Sequence, residues 1–302
     1  MSHPSKNAMI AIAGRPNVGK STLINALTGE KIAIVSDKPQ TTRNRIFGVV
    51  NSEGTQLVLI DTPGIHKPRT KLGEYMAGAA RGGVADADAA MLLVEPIAAA
   101  GTPETFLMER LRETGTPAVL VINKLDTVKK EELLRVIAAY SEAHPFAAAV
   151  PVSAKTGDGL GALVGELKKF ASDGPALFPD GVVTDQPEKQ IISELVREKL
   201  LLCLRREVPH GAAVEITKFS ERGSADDPVI DVDAEIYCEK ASHKGMIIGK
   251  NGAMLKKIGQ LARLDIERFM GARVFLTTWV KVREGWRDSE SQLRGLGYSE
   301  NM

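Results

Sequence analysis

The chain has 302 residues, a length that suits about two domains, each with a core of its own. Hydrophobic residues make up 43% and charged residues 25%, which are globular proportions and exclude disorder along most of the length. The formal net charge is +1, yet residues 240–287 hold eleven Lys or Arg against three Asp or Glu, and this excess suggests a polyanionic partner.

The sequence predicts a cytoplasmic protein, because it has neither an apolar run of 18 residues nor the residue order of a signal peptide. Peripheral contact with a membrane surface stays an open alternative, because the basic region would attract anionic lipids. Cys203 and Cys238 lie in apolar-patterned segments, which favours small core residues over a disulfide.

Short apolar runs alternate with helical patterns over the first 170 residues. Strands are predicted at Met9–Ala13, Leu57–Ile60, Ala89–Val94, Ala118–Ile122 and Ala148–Val152. Helices are predicted at Lys20–Leu27, Pro103–Glu113, Glu131–Tyr140 and Leu160–Phe170. This order indicates an α/β domain at residues 1–172 with a mostly parallel sheet covered on both faces.

The pattern changes after this domain. Residues 171–187 contain three prolines and two glycines without a sustained period, so residues 173–188 are predicted to be a linker. Residues 189–302 then follow the order helix, two strands, two helices, strand, which predicts a smaller α+β domain.

A phosphate-binding loop follows the first strand. The segment Gly14-Arg15-Pro16-Asn17-Val18-Gly19-Lys20-Ser21 fits the pattern G-x-x-x-x-G-K-S and opens a helix. Its backbone N–H groups should surround phosphate oxygens, with Lys20 at the β- and γ-phosphates and the Ser21 hydroxyl on Mg²⁺.

Two further segments complete the predicted phosphate and metal site. Asp61-Thr62-Pro63-Gly64 ends a strand, where Asp61 should hold Mg²⁺ through water. In GTPases with this pattern the backbone N–H of Gly64 senses the γ-phosphate. Thr42 is the predicted switch hydroxyl on Mg²⁺, with Thr41 as the competing choice.

The choice of base depends on Asn123-Lys124-Leu125-Asp126, which follows an apolar strand and matches the N-K-x-D pattern of GTPases. By that resemblance Asp126 accepts hydrogen bonds from guanine, while Asn123 and Lys124 brace the base and the phosphate-binding loop. Ser153-Ala154-Lys155 resembles the remaining guanine loop, with the Ala154 N–H directed at the guanine oxygen.

The residues expected to support hydrolysis lack the glutamine that orients the attacking water in many GTPases. Ile65 stands where Ras-like proteins place a glutamine that orients water, so intrinsic hydrolysis should be slow. Asn17 matches the asparagine that helps recruit K⁺ in GTPases with this replacement, although it could equally be a turn residue. The catalytic candidates are therefore Lys20, Thr42, Gly64 and Asn17, and His66 is interpreted as a solvent-facing loop residue.

The second domain carries the pattern G-x-x-G at Gly249–Gly252, between two helical patterns in the basic region. Together these features resemble a KH domain of the type II topology, in which paired glycines let the RNA backbone approach closely. The predicted RNA-binding residues are Lys244, Ile248, Gly249, Lys250, Asn251, Gly252, Lys256 and Lys257. Core positions are the simplest interpretation of Ile247 and Ile248, and Trp286 is left open between base stacking and covering the sheet.

The motifs G-R-P-N-V-G-K-S, P-Q-T-T-R, D-T-P-G, N-K-L-D, S-A-K-T-G and I-I-G-K-N-G resemble, in this order, the Era family of ribosome-assembly GTPases. The resemblance implies a monomeric switch protein that binds GTP, the 3′ end of small-subunit (16S) ribosomal RNA and the 30S subunit during its maturation. It also implies peripheral association with the inner face of the cell membrane. Leu93-Val94-Glu95-Pro96 departs from the more usual D-A ending of that strand.

Two other functions stay open on the sequence. An RNA-binding scaffold would hold the nucleotide as a structural ligand, and Ile65 favours this alternative. A membrane-associated GTPase would use the basic domain on lipid head groups, but lipids do not require the close backbone approach that paired glycines provide.

Overall fold

The computed structural model describes residues 4–38, 41–61, 63, 70–76, 78, 87–205, 207–224 and 227–298. They form two compact units. The first holds the described residues within Met1–Ala33, Thr42–Lys67 and Met76–Asp185, and the second those within Ile34–Thr41, Pro68–Tyr75 and Gln186–Met302.

The first unit is built on one seven-stranded sheet with the order β2-β3-β1-β4-β5-β6, in which β7 also pairs with β1. The strands are β1 Lys6–Ala13, β2 Ile46–Ser52, β3 Thr55–Asp61, β4 Ala89–Val94, β5 Ala118–Ile122, β6 Ala148–Pro151 and β7 Ser172–Asp173. Neighbours among β3, β1, β4, β5 and β6 are parallel, whereas β2 and β7 are antiparallel to their partners. The predicted α/β class with a mostly parallel sheet is confirmed.

Helices flank this sheet and explain its composition. They are α1 Lys20–Thr28, α2 Thr102–Thr114, α3 Lys130–Ala143 and α4 Leu160–Leu167. Every residue of β3, β4 and β5 is buried. Strands covered on both faces have continuous apolar sequences, and these apolar runs are what allowed the strands to be predicted.

The antiparallel strand β2 is not among the strands predicted from the sequence. It forms a hairpin with β3 through Glu53 and Gly54, both in the left-handed region with φ of 45° and 75°. Such a pair suits a two-residue hairpin turn. A Glu-Gly pair is a weaker turn signal in sequence than Asn-Gly or Asp-Gly, so the hairpin was not obvious.

Much of the segment predicted as a linker lies on the first unit. Asp173 pairs with Lys6, Thr184 forms a bridge with Gly48, and the Gln56 side chain accepts from the N–H of Phe178 over 2.8 Å. The domain bounds 1–172 and 189–302 stay predictions, to which the structure adds that the first unit extends to Asp185.

The second unit has the predicted order of helix, two strands, two helices and strand, followed by one further helix, α8, that the sequence did not predict. Its elements are α5 Glu188–Cys203, β8 Ala213–Ser224, β9 Asp227–Cys238, α6 Ala241–Ile248, α7 Ala253–Met270, β10 Arg273–Val282 and α8 Glu290–Gly295. The sheet runs β10-β9-β8, with β9 parallel to β10 and antiparallel to β8. Buried side chains of α5, α7 and alternating strand positions form one core, for example Ile192, Ile258 and Val232.

Both cysteines are free thiols, Cys238 buried and Cys203 half-buried. Burial raises the pKa of the Cys238 thiol, which keeps it protonated and unreactive at neutral pH. Within the described ranges, no helix has the length and apolar character needed to cross a bilayer.

Candidate nucleotide site and nucleic-acid interface

The phosphate-binding loop occupies the turn between β1 and α1. Gly14 has φ of 156°, and a Cβ there would lie 2.5 Å from the carbonyl oxygen of Leu93. Gly19 has φ of 105° and packs against the Asn123 side chain. Backbone conformation and close packing therefore require glycine at both ends of the loop.

Lys20 begins α1 and folds its side chain back over this loop. Its buried Nζ donates to the carbonyl oxygens of Gly14 and Arg15 over 3.1 and 3.2 Å. Burial lowers the pKa of Lys20, and the nearby charge of Asp61 partly opposes that shift. The ammonium group thus lies at the mouth of the loop, as a phosphate ligand requires.

Three side-chain oxygens converge beside Lys20. Ser21 Oγ lies 3.0 Å from Thr42 Oγ1 and 3.1 Å from Asp61 Oδ2, and Thr42 Oγ1 lies 3.4 Å from the same carboxylate oxygen. The competing Thr41 instead donates from Oγ1 to the carbonyl of Lys38 over 2.6 Å. Two hydroxyls and one carboxylate form a hard oxygen set that fits Mg²⁺, which keeps several of its waters when a protein binds it.

The guanine loop, residues 123–126, follows β5. Asn123 donates from Nδ2 to the carbonyl of Val18 over 2.9 Å and accepts at Oδ1 from the Ala154 N–H over 3.0 Å. One buried amide thus connects the guanine loop to the phosphate-binding loop and to the loop at Ser153. The Ala154 N–H, predicted to meet guanine, donates to Asn123 in this structure.

Asp126 stands exposed at the end of the guanine loop, within a short 3-10 turn at Leu125–Thr127. Ser153 Oγ donates to Asp126 Oδ1 over 2.7 Å, and this hydrogen bond is the largest cause that lowers the pKa of Asp126. The carboxylate is therefore held charged and oriented as an acceptor.

The other predicted residues of this site fall into two groups. Asn17 is exposed with φ of 65°, Pro16 is exposed, and Val18 and Pro63 are buried. Thr62, Gly64, Ile65 and His66 lie outside the described residues. The γ-phosphate sensor and the missing glutamine therefore stay predictions.

The G-x-x-G segment forms the junction between α6 and α7. Gly249, Asn251 and Gly252 all have positive φ, of 72°, 51° and 77°. A Cβ on Gly249 would lie 2.7 Å from Cβ of Met254, so glycine is required there by packing and by conformation. This turn leaves backbone accessible at the start of α7, as close approach of a nucleic-acid backbone requires.

Cations surround that turn while the neighbouring isoleucines divide between core and surface. Lys250, Lys256 and Lys257 are exposed, and Lys244 is half-buried. Ile247 is fully buried in the core, whereas Ile248 is half-buried. Ile248 is the one of the two that retains an accessible side chain beside Gly249.

Trp286, left open by the sequence, belongs to the core: it has no exposed surface and donates from Nε1 to the carbonyl of Gly211 over 3.0 Å. Among the described residues of the second unit, the exposed aromatics are Phe275 at 62% and Trp279 at 58%, both on β10. Sequence reasoning missed them because the alternation of β10 does not say which of its two faces is covered. The signal that the sequence did offer was a phenylalanine and a tryptophan at same-face positions of an alternating strand in the basic region.

Five parallel strands of the first unit thus end at one sheet edge carrying the phosphate-binding loop, Asp61, Glu95, the guanine loop and Ser153. The second unit adds a G-x-x-G turn to an αββααβ arrangement. The class defined by this fold and site is a P-loop GTPase joined to a KH domain.

Family comparisons agree with that class. A model described as a 50S ribosome-binding GTPase matches residues 9–124, and a model described as a KH domain matches residues 207–287. The chain is 49% identical over 296 residues to GTPase Era of Ruminiclostridium cellulolyticum, covering 98% of each chain. It is also 49% identical over 290 residues to GTPase Era of Caldanaerobacter subterraneus, covering 96% of this chain and 97% of the relative.

Solved structures agree as well. A variant of Aquifex aeolicus Era bound to GDP and AlF₄⁻ matches with a TM-score of 0.91 and 35% identity, over 97% of this chain and 99% of that one. Era in complex with MgGDPNP and nucleotides 1506–1542 of 16S ribosomal RNA matches with a TM-score of 0.90, 35% identity and the same coverage. The chain belongs to the Era family and is a GTPase.

Proposed function

We propose that this chain binds and hydrolyses GTP with Mg²⁺, and that its KH domain binds the 3′ end of 16S ribosomal RNA to assist maturation of the 30S subunit. The observation that carries the proposal is the convergence of five strand ends on one nucleotide site. The related Era structure with MgGDPNP and a 16S fragment supports the choice of both ligands.

Each part of GTP has candidate partners in the first unit. Backbone N–H groups of the phosphate-binding loop and Lys20 bind the phosphates, and Asp126 accepts from the guanine edge. Ser21, Thr42 and Asp61 would hold Mg²⁺, with Asp61 acting through water. When bound, the ion neutralises charge on the β- and γ-phosphates.

Hydrolysis is assigned to positioning and electrostatics, because Ile65 cannot orient water. Lys20, Thr42, the Gly64 amide and Asn17 are the proposed catalytic groups, with Asn17 helping to bind K⁺. The left-handed backbone of Asn17 fits a turn residue too, so turnover in K⁺ against Na⁺ is the deciding measurement. Equal rates would leave Asn17 as a turn residue only.

RNA binding is assigned to the G-x-x-G turn and its lysines. About four nucleotides would be held by the backbone around Gly249 and Gly252, with Ile248 beneath the bases. Lys244, Lys250, Lys256 and Lys257 supply charge to the phosphates, and Asn251 lies exposed in the same turn. The excess of Lys and Arg in residues 240–287 supports a polyanionic ligand.

Nucleotide control of the second unit is supported by the chain that precedes Thr42. Residues 34–38 and 41 belong to the second unit, where Arg197 of α5 donates to the carbonyl of Thr41. In the same segment the Val35 N–H donates to Glu198 over 2.9 Å. Thr42 contacts Ser21 and Asp61 and directly follows Thr41 in the chain. A change in how GTP holds Thr42 would therefore move the preceding segment, whose residues contact α5.

Single-turnover GTP cleavage, measured with and without an RNA that ends in the 16S tail, tests the proposal against an RNA-binding scaffold. Cleavage that RNA accelerates supports the switch enzyme. Cleavage that stays near zero in both conditions favours the scaffold. Calorimetry with ATP in place of GTP should give no binding of comparable strength, because adenine lacks the donors that Asp126 accepts.

Location and assembly complete the proposal. A cytoplasmic monomer with peripheral contact to the inner face of the cell membrane is what the family resemblance implies. Flotation with vesicles containing anionic lipid, with the 16S-tail RNA as competitor, tests the membrane contact. RNA that displaces the chain from vesicles would place both ligands on the same basic surface.

A further inference from the structure

The two loops that hold a guanine nucleotide are connected by one carboxylate outside both of them. Glu95 directly follows the last residue of β4. It pairs with the Arg15 guanidinium of the phosphate-binding loop and with the Lys124 ammonium of the guanine loop. We call these two ion pairs the Glu95 link.

The end of β4 also holds the guanine loop through its backbone. The Asn123 N–H donates to the carbonyl of Val94 over 2.9 Å. This hydrogen bond fixes the backbone of the guanine loop next to Lys124 against the end of β4 next to Glu95. Lys124 itself has φ of 65°, a left-handed conformation that is unfavourable for a non-glycine residue and needs surrounding contacts to persist. Thr127 Oγ1, which donates to the Lys124 carbonyl over 2.7 Å, is one such contact.

A second acid holds Arg15 from the other side without touching Lys124. Glu104 of α2 is buried, and its Oε1 lies 3.6 Å from Nε of Arg15. Arg15 therefore contacts two carboxylates, and among the described residues only Glu95 of these two also pairs with the guanine loop. Replacing Glu104 should therefore disturb Arg15 without breaking the connection between the two loops, whereas replacing Glu95 should break that connection.

The Glu95 link is expected to contribute little to the free energy of unfolding. The side chains of Arg15, Glu95 and Lys124 are 32%, 23% and 38% exposed. Ion pairs near the surface typically add little to the stability of a protein, because solvent screens them and two long side chains must be ordered. An effect of Glu95 is therefore expected in ligand binding, where a prearranged site avoids the cost of ordering loops.

We propose that Glu95 is a positioning residue of the nucleotide site, which holds the phosphate-binding loop and the guanine loop at the spacing that one guanine nucleotide spans. It acts through Arg15 and Lys124 and does not touch the γ-phosphate chemistry. The inference rests on the nucleotide site assigned under Proposed function.

The test uses the full chain and nucleotides carrying a fluorescent N-methylanthraniloyl group, with release followed by stopped flow. Glu95→Gln should release both GDP and GTP about three- to tenfold faster, a loss in the range of one or two hydrogen bonds. The kcat for GTP at saturation should stay within about twofold. A loss confined to GTP, or to kcat, would contradict a positioning role.

Two variants serve as matched controls. Glu104→Gln disturbs Arg15 alone and should accelerate release less than Glu95→Gln does. Glu109→Gln removes an exposed charge from the same helix as Glu104 and should leave release unchanged. Equal acceleration in the Glu95 and Glu104 variants would overturn the link to Lys124. Unchanged or slower release from Glu95→Gln would overturn the proposal. Slower release would mean that Arg15 and Lys124, once they are no longer paired with Glu95, bind the nucleotide more strongly.

A shorter acid guards against a folding defect. Glu95→Asp keeps the charge but cannot span both cations equally well, and its release rate should lie between those of the wild type and Glu95→Gln. If Glu95→Gln does not fold, Glu95→Asp decides, and release at the wild-type rate would then contradict the proposal. Wild-type chain that binds no guanine nucleotide would contradict the proposed function, whereas normal wild-type binding with unaffected variants contradicts this inference alone.

Discussion

Ser153 Oγ donates to Asp126 Oδ1 over 2.7 Å, which joins the residue proposed to select guanine to a loop 27 residues farther along the chain. This hydrogen bond favours the charged form of the carboxylate and lowers its pKa below the ordinary value of 3.8. The proposed recognition of guanine by Asp126 is therefore expected to depend on the Ser153 hydroxyl, which does not itself have to contact the base.

Ser153→Ala is expected to raise the pKa of Asp126 toward its ordinary value. A carboxylate with a lowered pKa keeps its charge as the pH falls, and affinity that needs this charge is lost only below that pKa. In the variant the loss of GDP affinity should begin at higher pH. The carboxyl resonance of Asp126, followed by NMR against pH, measures the shift, and an unchanged midpoint would contradict it.

Thr42→Ala should reduce single-turnover GTP cleavage by about tenfold or more, because it removes one of three oxygens that converge where Mg²⁺ is proposed. The same change should raise the Mg²⁺ concentration needed for half-maximal cleavage. Thr41→Ala is the matched control and should stay within about twofold, since Thr41 Oγ1 donates to the Lys38 carbonyl instead. A larger effect at Thr41 would reverse the assignment.

Lys250→Ala should weaken binding of the 16S-tail RNA and lower the slope of log affinity against log salt by about 0.7, the value for one phosphate contact on a single strand. Lys189, exposed on α5, offers a control with the same charge change. Fluorescence anisotropy at several salt concentrations measures both variants. If the two slopes fall equally, the effect is one of overall charge and the G-x-x-G assignment loses its support.

The two tryptophans should differ sharply in what they contribute to stability. Trp286→Ala empties a fully buried site and leaves the Gly211 carbonyl without its donor, which should lower the free energy of unfolding by about 3–5 kcal/mol. Trp279→Ala, at a residue 58% exposed, should cost about 1 kcal/mol or less. Urea unfolding followed by circular dichroism gives both values, and similar losses would contradict the burial difference.

Acrylamide quenching offers a simpler check on the same difference. Each single variant retains one tryptophan, because the chain has two. Fluorescence of Trp279 in the Trp286→Phe variant should be quenched readily, and that of Trp286 in the Trp279→Phe variant should resist quenching. A similar quenching constant for both would show that one of the two side chains is placed wrongly.

Particular elements show how far the sequence could be interpreted. The strands β1, β3, β4 and β5 were predicted because strands covered on both faces are continuous apolar runs. The strand β2 was missed, since its hairpin turn at Glu53 and Gly54 is an uncommon sequence signal. The motif residues Lys20, Asp61 and Asp126 could be proposed from the sequence because the chemistry expected of them requires fixed residue types next to strand ends.

The sequence by itself determined the fold class, the family and the residue types proposed for the nucleotide site, because these depend on local periodicity and on short motifs. The tertiary structure decided which distant residues meet. It directed Thr42 rather than Thr41 at Ser21, buried Trp286 while exposing Trp279, and joined Arg15 to Lys124 through Glu95. Such pairings depend on how strands lie side by side and which faces helices cover, and no local pattern records either.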